Sequence, residues 1–184
     1  MELQQLLKEC TKGRASAQKA LYERFARPLF LLCRRYVRSD EAAEEVLHNG
    51  FLKCFDRIGS LQYVNDAAAV GWLKKIMVNE CLMHLRRQAS FLQVALDDAP
   101  ELPEGERVLD GLSATEIFSL IMKLPTGYRT VFNLYVLEEY SHKDIAALLG
   151  ISEGTSKSQL SKARQLLQQL LIQSNPDYAL RKTR

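Results

Sequence analysis

Small hydroxyl residues and basic residues share one side of a stretch near the C-terminal end of the chain. Projected onto a helix at about 100° per residue, that side carries Gly154, Thr155, Ser158, Ser161, Lys162 and Gln165, flanked by Lys157 and Arg164. Short hydroxyl side chains can approach base edges closely, and Lys and Arg bind phosphates. A solvated helix face is the alternative, but no acid occurs between Glu153 and Asp177. The pattern favours a DNA-reading surface.

Two short helices and a tight turn position this surface. Ser141 precedes the first helix and Asp144 follows three residues later, which approximates a capping box. Gly150 suits the left-handed position that ends a helix, and Ser152 can cap the next helix. The spacing predicts a helix-turn-helix over 140–171, whose second helix would enter a DNA groove.

A second polar group lies on a long amphipathic segment predicted as a helix over 67–88. Asn79 is a poor helix former, yet its amide can donate and accept hydrogen bonds at once, as reading a base edge requires. Lys75, Arg86 and Arg87 are basic and could follow a phosphate backbone. Solvated charge on an ordinary helix face is the alternative for these basic residues.

An acidic helix is predicted ahead of that segment, from Asp40, which could cap it, to about Arg57. Glu44 and Glu45 lie in its first turns, where the helix dipole favours negative charge. Two interpretations stay open from these residues alone. The glutamates are either solvated surface groups or the rim of a protein-docking surface.

Charge is distributed unevenly along the 184 residues, although the net charge is only +3. Residues 1–88 carry 15 Lys and Arg against 10 Asp and Glu, and residues 111–184 carry 9 against 6. Residues 89–110 carry 1 against 6, together with two prolines, so they are predicted as a flexible acidic linker. The periodicity elsewhere is helical, and we expect it to be interrupted at Pro28 within 17–37 and broken at Leu124–Pro125. It predicts an all-α chain of two small helical domains, the second containing the helix-turn-helix.

Several function classes find no support in the sequence. The Cys residues are far apart in apolar contexts, the His residues lack ligand spacing, and no phosphate loop or nucleophile elbow occurs, so we expect no metal, no cofactor and no catalysis. No apolar run is long enough to span a membrane and no signal peptide is recognised, so we expect a cytoplasmic protein. A one-component transcription regulator with a helical sensor domain, and a helical adaptor without DNA contact, stay as alternatives.

Three segments resemble one family, the extracytoplasmic-function sigma factors, which bring bacterial RNA polymerase to promoters. DEAAEEVLHNGFLKCF (40–55) resembles the polymerase-binding helix of that family, and GWLKKIMVNECLMHLRR (71–87) resembles its promoter-melting helix. The segment 124–164, which begins LPTGYRTVF, resembles its second DNA-binding domain. Among such factors, the chain looks most like those from the Bacteroidetes.

The resemblance implies a sigma factor with core RNA polymerase and promoter DNA as partners, and it leaves open an anti-sigma factor as a third. It implies domains at 10–88 and 111–172, the linker 89–110 and a basic tail at 173–184. The minus-ten strand would be held by the melting helix and the loop 58–66. The residues assigned to polymerase binding are Asp40, Glu44, Glu45, Leu47, His48, Asn49 and Phe51; to the minus-ten strand, Lys75, Asn79, Arg86 and Arg87; and to the minus-35 duplex, Arg129, Thr155, Lys157, Ser158, Ser161 and Lys162.

Three residues depart from the family pattern. His48 and Asn49 stand where Gln and an acid are usual, which bears on the polymerase contact. Met83 stands where Asp is usual, which bears on a polar interaction of the melting helix. The apolar residues around all three are those that a helical fold needs, so we expect the fold to be unaffected.

Overall fold

A computed structural model of the chain describes residues 1–88 and 113–174, which we call unit 1 and unit 2. Every regular element in these ranges is a helix or a helical turn, which confirms the predicted all-α class. The predicted linker 89–110 and the predicted tail beyond Ser174 lie outside the described residues. Within the two described ranges, no helix has both the length and the apolar character needed to cross a membrane.

Unit 1 contains four α-helices: α1 (Leu3–Thr11), α2 (Ala15–Tyr36), α3 (Asp40–Arg57) and α4 (Asp66–Arg87). A short 3₁₀ turn, Ile58–Ser60, follows α3. Helices α2, α3 and α4 pack against one another and α1 packs on α2. All four cysteines of the chain are buried here as free thiols, as the sequence predicts.

The first helix starts ahead of the predicted domain start at residue 10. Leu3, Leu6, Leu7 and Cys10 are all buried, and their i, i+3, i+4, i+7 spacing places them on one face of α1. That stripe buries apolar surface against α2, so α1 is part of unit 1.

Two local predictions in unit 1 need correction. Ser39, and not Asp40, caps α3: its Oγ accepts a hydrogen bond from the amide of Ala42 at 3.0 Å. A capping side chain bonds the amide three residues further on, so Asp40 is already the first helical residue. At that position the helix dipole stabilises its negative charge. Pro28 does not interrupt α2, which continues through the proline from Ala15 to Tyr36 although one backbone hydrogen bond is lost there.

Helices α3 and α4 pack tightly at Gly50. A Cβ atom at this position would lie 2.2 Å from Sδ of Met77, a side chain with no exposed surface. Only glycine leaves room for that contact without displacing Met77. The helix with the acidic residues is therefore packed directly on the helix with Asn79.

Unit 2 contains α5 (Ala114–Lys123), α6 (Thr126–Phe132), α7 (His142–Leu149) and α8 (Glu153–Ser174). The predicted break at Leu124–Pro125 is confirmed, and a full capping box of Ser113 and Glu116 begins α5. After α6 the chain widens into a π turn, Asn133–Leu137, which the periodicity did not predict. Helix α8 packs against α5, α6 and α7.

The predicted helix-turn-helix is confirmed in its local details. Ser141 Oγ accepts from the amide of Asp144, and Gly150 has a φ of +68°, the left-handed conformation that ends α7. The amide of Thr155 donates to Ser152 Oγ at 2.9 Å, so Ser152 caps α8 as expected. These short-range contacts fix the turn between α7 and α8.

Candidate functional site

The predicted polymerase-binding residues of α3 divide into exposed and buried groups. Glu44, Glu45 and His48 are exposed and Asn49 is half-buried. Leu47 and Phe51 are only 3% and 2% exposed, so they shape the helix from the core side and are not themselves contact residues.

Asp40 and His48 are each held in place by neighbouring groups. Asp40 forms an ion pair with Arg34 of α2. The His48 ring stacks on Tyr22, with centroids 6.1 Å apart, and its Nδ1 donates to the carbonyl oxygen of Glu44 at 2.9 Å. This surface of α3 therefore has a stacked aromatic ring next to two exposed glutamates.

A cleft runs between α3 and α4, and it contains polar groups that the sequence did not reveal as a pair. Lys53 Nζ lies 2.6 Å from Glu80 Oε1 and 3.7 Å from Met83 Sδ. The Glu80 side chain is 10% exposed and that of Lys53 is 37% exposed. Lys53 of α3 therefore contacts two residues of α4, Glu80 and, through a weaker sulfur acceptor, Met83. The remaining side chains that line the cleft are Glu45, Val46, Asn49, Leu52, Asp56, His84 and Arg87.

The predicted minus-ten residues of α4 are all exposed. Lys75, Asn79 and Arg86 are separated by four and seven residues, which places them within about 40° of one another around the helix. Arg87 lies to the side of this face, where it lines the cleft with α3. Three of the four residues therefore lie on one face of α4, which presents two basic side chains, Lys75 and Arg86, and the side-chain amide of Asn79.

The segment before α4 is pinned at two points. Asn65 caps α4 by accepting from the amide of Ala68 at 2.8 Å. The Tyr63 hydroxyl donates to Asp66 Oδ1 at 2.5 Å, and this hydrogen bond raises the pKa of the phenol. The residues predicted to take a flipped base therefore start from an ordered conformation next to the Asn79 helix.

In unit 2, five of the six predicted minus-35 residues lie on α8. Lys157 is exposed, and the other four are half-buried: Thr155, Ser158, Ser161 and Lys162. The Thr155 hydroxyl is hydrogen-bonded to Ser152 Oγ at 2.9 Å, so this side chain helps to hold the start of α8.

Arg129 does not belong to the candidate DNA surface. It is 1% exposed, and its guanidinium donates to the carbonyl oxygen of Leu124 at 2.9 Å. A buried side chain that satisfies a carbonyl at the end of α5 cannot also reach DNA from the folded domain. Its prediction as a minus-35 residue was wrong, because residue type alone cannot show which way an arginine on a short helix points.

The sequence also did not identify a polar contact behind the recognition surface. Ser156 has no exposed surface, and its Oγ lies 2.8 Å from His142 Nδ1. A signal for its burial was present: Ser156, Leu160, Ala163 and Leu167 follow the i, i+4, i+7, i+11 spacing of one helix face. Its partner could not be read from spacing, because His142 lies on another helix.

Comparisons with known proteins cover both units. A family model described as Sigma-70 region 2 matches residues 21–91, and one described as Sigma-70, region 4 matches residues 114–167. The ECF RNA polymerase sigma factor SigM of Mycobacterium tuberculosis is 33% identical over 178 residues, which cover 97% of this chain and 89% of SigM. The RNA polymerase sigma-H factor of Pseudomonas aeruginosa is 27% identical and covers 91% of this chain and 93% of its own length.

One solved structure, titled as CnrH in complex with the cytosolic domain of CnrY, covers 90% of this chain and 94% of its own. It is 21% identical to this chain, with a TM-score of 0.49.

Proposed function

Because the chain belongs to the extracytoplasmic-function sigma factors, we propose that its two units divide promoter recognition between them. The chain is a sigma factor that directs promoter-specific transcription initiation. A one-component regulator is not favoured, because the region 2 match occupies the place of its sensor domain. Unit 1 would bind core RNA polymerase and the melted minus-ten strand, and unit 2 would read the minus-35 element as duplex.

The proposed polymerase dock is the exposed surface of α3. Glu44 and Glu45 form its acidic rim, and the stacked ring of His48 forms its centre. Rim charges steer association and orientation more than they add affinity. Asn49 and Asp40 border the same surface, while Leu47 and Phe51 support it from inside.

The observation that carries the minus-ten proposal is the basic face of α4. Asn79 is the one residue there that can donate and accept at once, between Lys75 and Arg86, which can contact phosphates. Single-stranded DNA offers both unpaired base edges and a backbone to such a face. The pinned segment around Tyr63 lies next to the start of α4, where a base turned out of the stack could be taken up.

The minus-35 proposal assigns two kinds of contact to α8. Ser158, Ser161 and Lys162 would read base edges together with Thr155, while exposed Lys157 would bind phosphate. Substitution of a base-reading residue should blur sequence preference. Loss of the phosphate contact should weaken all sequences alike.

Further assignments rest on the family and on surface character. We propose that the protein acts in the cytoplasm with the polymerase and performs no catalysis of its own. An anti-sigma factor is a proposed further partner, for which unit 1 offers exposed apolar side chains at Leu31, Leu52 and Val64. The subgroup from the Bacteroidetes also stays a proposal, since it rests on the appearance of the three quoted segments.

Asn79→Ala tests the function in holoenzyme reconstituted with core polymerase, on a promoter identified by mapping transcript starts. The variant should fold, because alanine is the better helix former, and should bind duplex promoter nearly as the parent does. Strand opening, measured as permanganate-reactive thymines at the start site, should fall. A template already mismatched over the minus-ten segment should restore much of the opening, because unpairing is no longer required.

The matched control is Lys74→Ala, at an exposed position about 140° around α4 from Asn79. It removes a basic side chain from the same helix without touching the proposed reading face, and it should open the promoter as the parent does. Parental opening by Asn79→Ala would show that Asn79 is an ordinary surface residue. Failure of the parent to join core polymerase would contradict the function as a whole.

A further inference from the structure

Ser156 is a fully buried hydroxyl on the helix proposed to read DNA. Its neighbours in sequence, Thr155 and Lys157, belong to the candidate DNA surface, whereas Ser156 points into unit 2 with no exposed surface. The same buried stripe continues through Leu160, Ala163 and Leu167. A polar group at the head of an apolar stripe requires a hydrogen-bond partner, because an unpaired buried hydroxyl is costly.

His142, the first residue of α7, supplies that partner. Its Nδ1 lies 2.8 Å from Ser156 Oγ, a short distance for such a bond. The hydroxyl donates or accepts according to the tautomer of the ring. The bond joins the first turn of α7 to the first turn of α8, fourteen residues apart in sequence.

The imidazole is itself held on its face by an aromatic ring. Tyr135 of the π turn stacks on it, with centroids 4.4 Å apart and planes inclined by 22°. The guanidinium of Arg164, two turns along α8 from Ser156, lies 5.9 Å from the Tyr135 ring centroid. The contacts therefore run from α8 to α7, to the π turn, and back to α8.

Directional contacts restrict a helix in a way that apolar packing does not. The hydrophobic effect is non-directional, so a single stripe of small and aliphatic residues tolerates a modest roll of α8. A hydrogen bond weakens steeply when its angle changes. A roll of about 20° moves a side-chain tip by about 2 Å at the helix surface, which is enough to break a base contact.

We propose that His142 and Ser156 are positioning residues that set the rotation of α8 and thereby the base preference of Ser158, Ser161 and Lys162. The inference rests on the proposed minus-35 function. It assigns discrimination between sequences to two residues that do not belong to the DNA-facing surface. The Tyr135 ring holds the imidazole in the orientation that the hydrogen bond needs.

Three variants test this role: His142→Phe, which keeps a ring for Tyr135 but lacks the nitrogen; Ser156→Ala; and the double variant. Holoenzyme containing the parent chain selects duplexes from a library randomised upstream of the start site. Affinity is then measured for the enriched duplex and for a scrambled duplex of equal length. Each single variant should lower the ratio of the two affinities at least about fivefold while leaving scrambled DNA bound as before.

The double variant separates positioning from stability. Removing both polar partners leaves no unpaired hydroxyl, so thermal stability should return towards that of the parent. Discrimination should stay low, because the directional bond is still missing. Discrimination that recovers together with stability would show a merely structural role and overturn the proposal.

Two control variants complete the design. Ser113→Ala removes the cap of α5, and should lower stability without changing the affinity ratio. Lys157→Ala should weaken both duplexes alike. Folded single variants with the parental ratio would refute the positioning role alone. If holoenzyme with the parent chain enriches no sequence from the library, the proposed function is refuted and the inference fails with it. That selection uses no variant, so the two failures can be told apart.

Discussion

Helix α4 of unit 1 and helix α8 of unit 2 have the same length, 22 residues, but they are held differently. Nine residues of α4 are buried, including Leu73, Met77 and Leu82, against five on the single stripe of α8. The broad buried surface of α4 resists rotation by its shape, since a well-packed core resists small shifts. In our proposal, the narrow stripe of α8 leaves its rotation to be set by polar contacts at its first turn.

The difference suggests how each helix is suited to its proposed ligand. A face that binds melted DNA contacts unpaired bases and backbone, and the broad buried surface of α4 gives such a face a firm support. A face that reads a duplex needs its angle set accurately, which a cap at Ser152 and the bond from His142 to Ser156 can provide. We therefore expect substitutions of buried residues to lower the stability of either unit, whereas loss of the polar contacts at the first turn of α8 should alter the sequence preference of unit 2.

The cysteines make the two units separately observable. All four lie in unit 1, and burial raises the pKa of the Cys54 thiol to about 12. Because all four thiols are buried, reaction with a thiol reagent requires unit 1 to open. Thiol labelling therefore reports on unit 1, and circular dichroism reports on both.

The largest effect is expected from Arg129→Ala, which empties a buried site in unit 2. It should lower the free energy of unfolding of that unit by about 2–5 kcal/mol, as for other large buried side chains. Urea titration followed by circular dichroism measures the loss, while thiol labelling should stay parental. If the variant keeps its stability but loses minus-35 binding selectively, Arg129 contacts DNA after all.

Lys53→Met should destabilise unit 1 by about 1–2 kcal/mol, because Glu80 would be left largely buried without its partner. Thiol labelling should accelerate accordingly. Adding Glu80→Met should bring stability back to within about 1 kcal/mol of the parent, since an apolar pair can replace an ion pair. A double variant as unstable as the single one would mean that the cleft requires charge.

Reversal of both glutamates, Glu44→Lys with Glu45→Lys, should weaken binding to core polymerase about tenfold at low salt, and less at high salt. Helix content should not change, because both side chains are exposed. Glu23→Lys on α2 is the matched control outside the proposed dock. This variant should bind core polymerase with the affinity of the parent. Binding of the double variant at parental strength would place the dock elsewhere.

The smallest effect concerns pH and the cap of α5. The Ser113 hydroxyl and, to a smaller extent, the Ser113 backbone amide donate hydrogen bonds to the Glu116 carboxylate. They lower the pKa of Glu116 below its ordinary value of 4.5. Because the folded pKa is the lower one, the cap stabilises unit 2 fully above pH 4.5 and is lost as pH falls through the folded value. Glu116→Gln should show a flatter pH dependence of unfolding. Identical profiles would exclude this contribution.

Local chemistry made much of the fold predictable. The caps at Ser141 and Ser152, the left-handed Gly150 and the break at Leu124–Pro125 depend on residues within a few positions of one another. Each is confirmed because short-range hydrogen bonds and steric limits act regardless of the rest of the chain. The cap of α3 was misplaced by one residue, since Ser39 and Asp40 are both good caps and only geometry separates them.

The sequence by itself determined the all-helical class, the helix-turn-helix, and the exposure of Lys75, Asn79 and Lys157 on helix faces, because periodicity sorts residues into inner and outer sides. Only the tertiary structure decided that Arg129 is buried, that Lys53 meets Glu80, and that His142 meets Ser156. Those outcomes depend on which helices pack together and at what angle. Contacts between residues distant in sequence are set by packing of the whole unit, which no local pattern records.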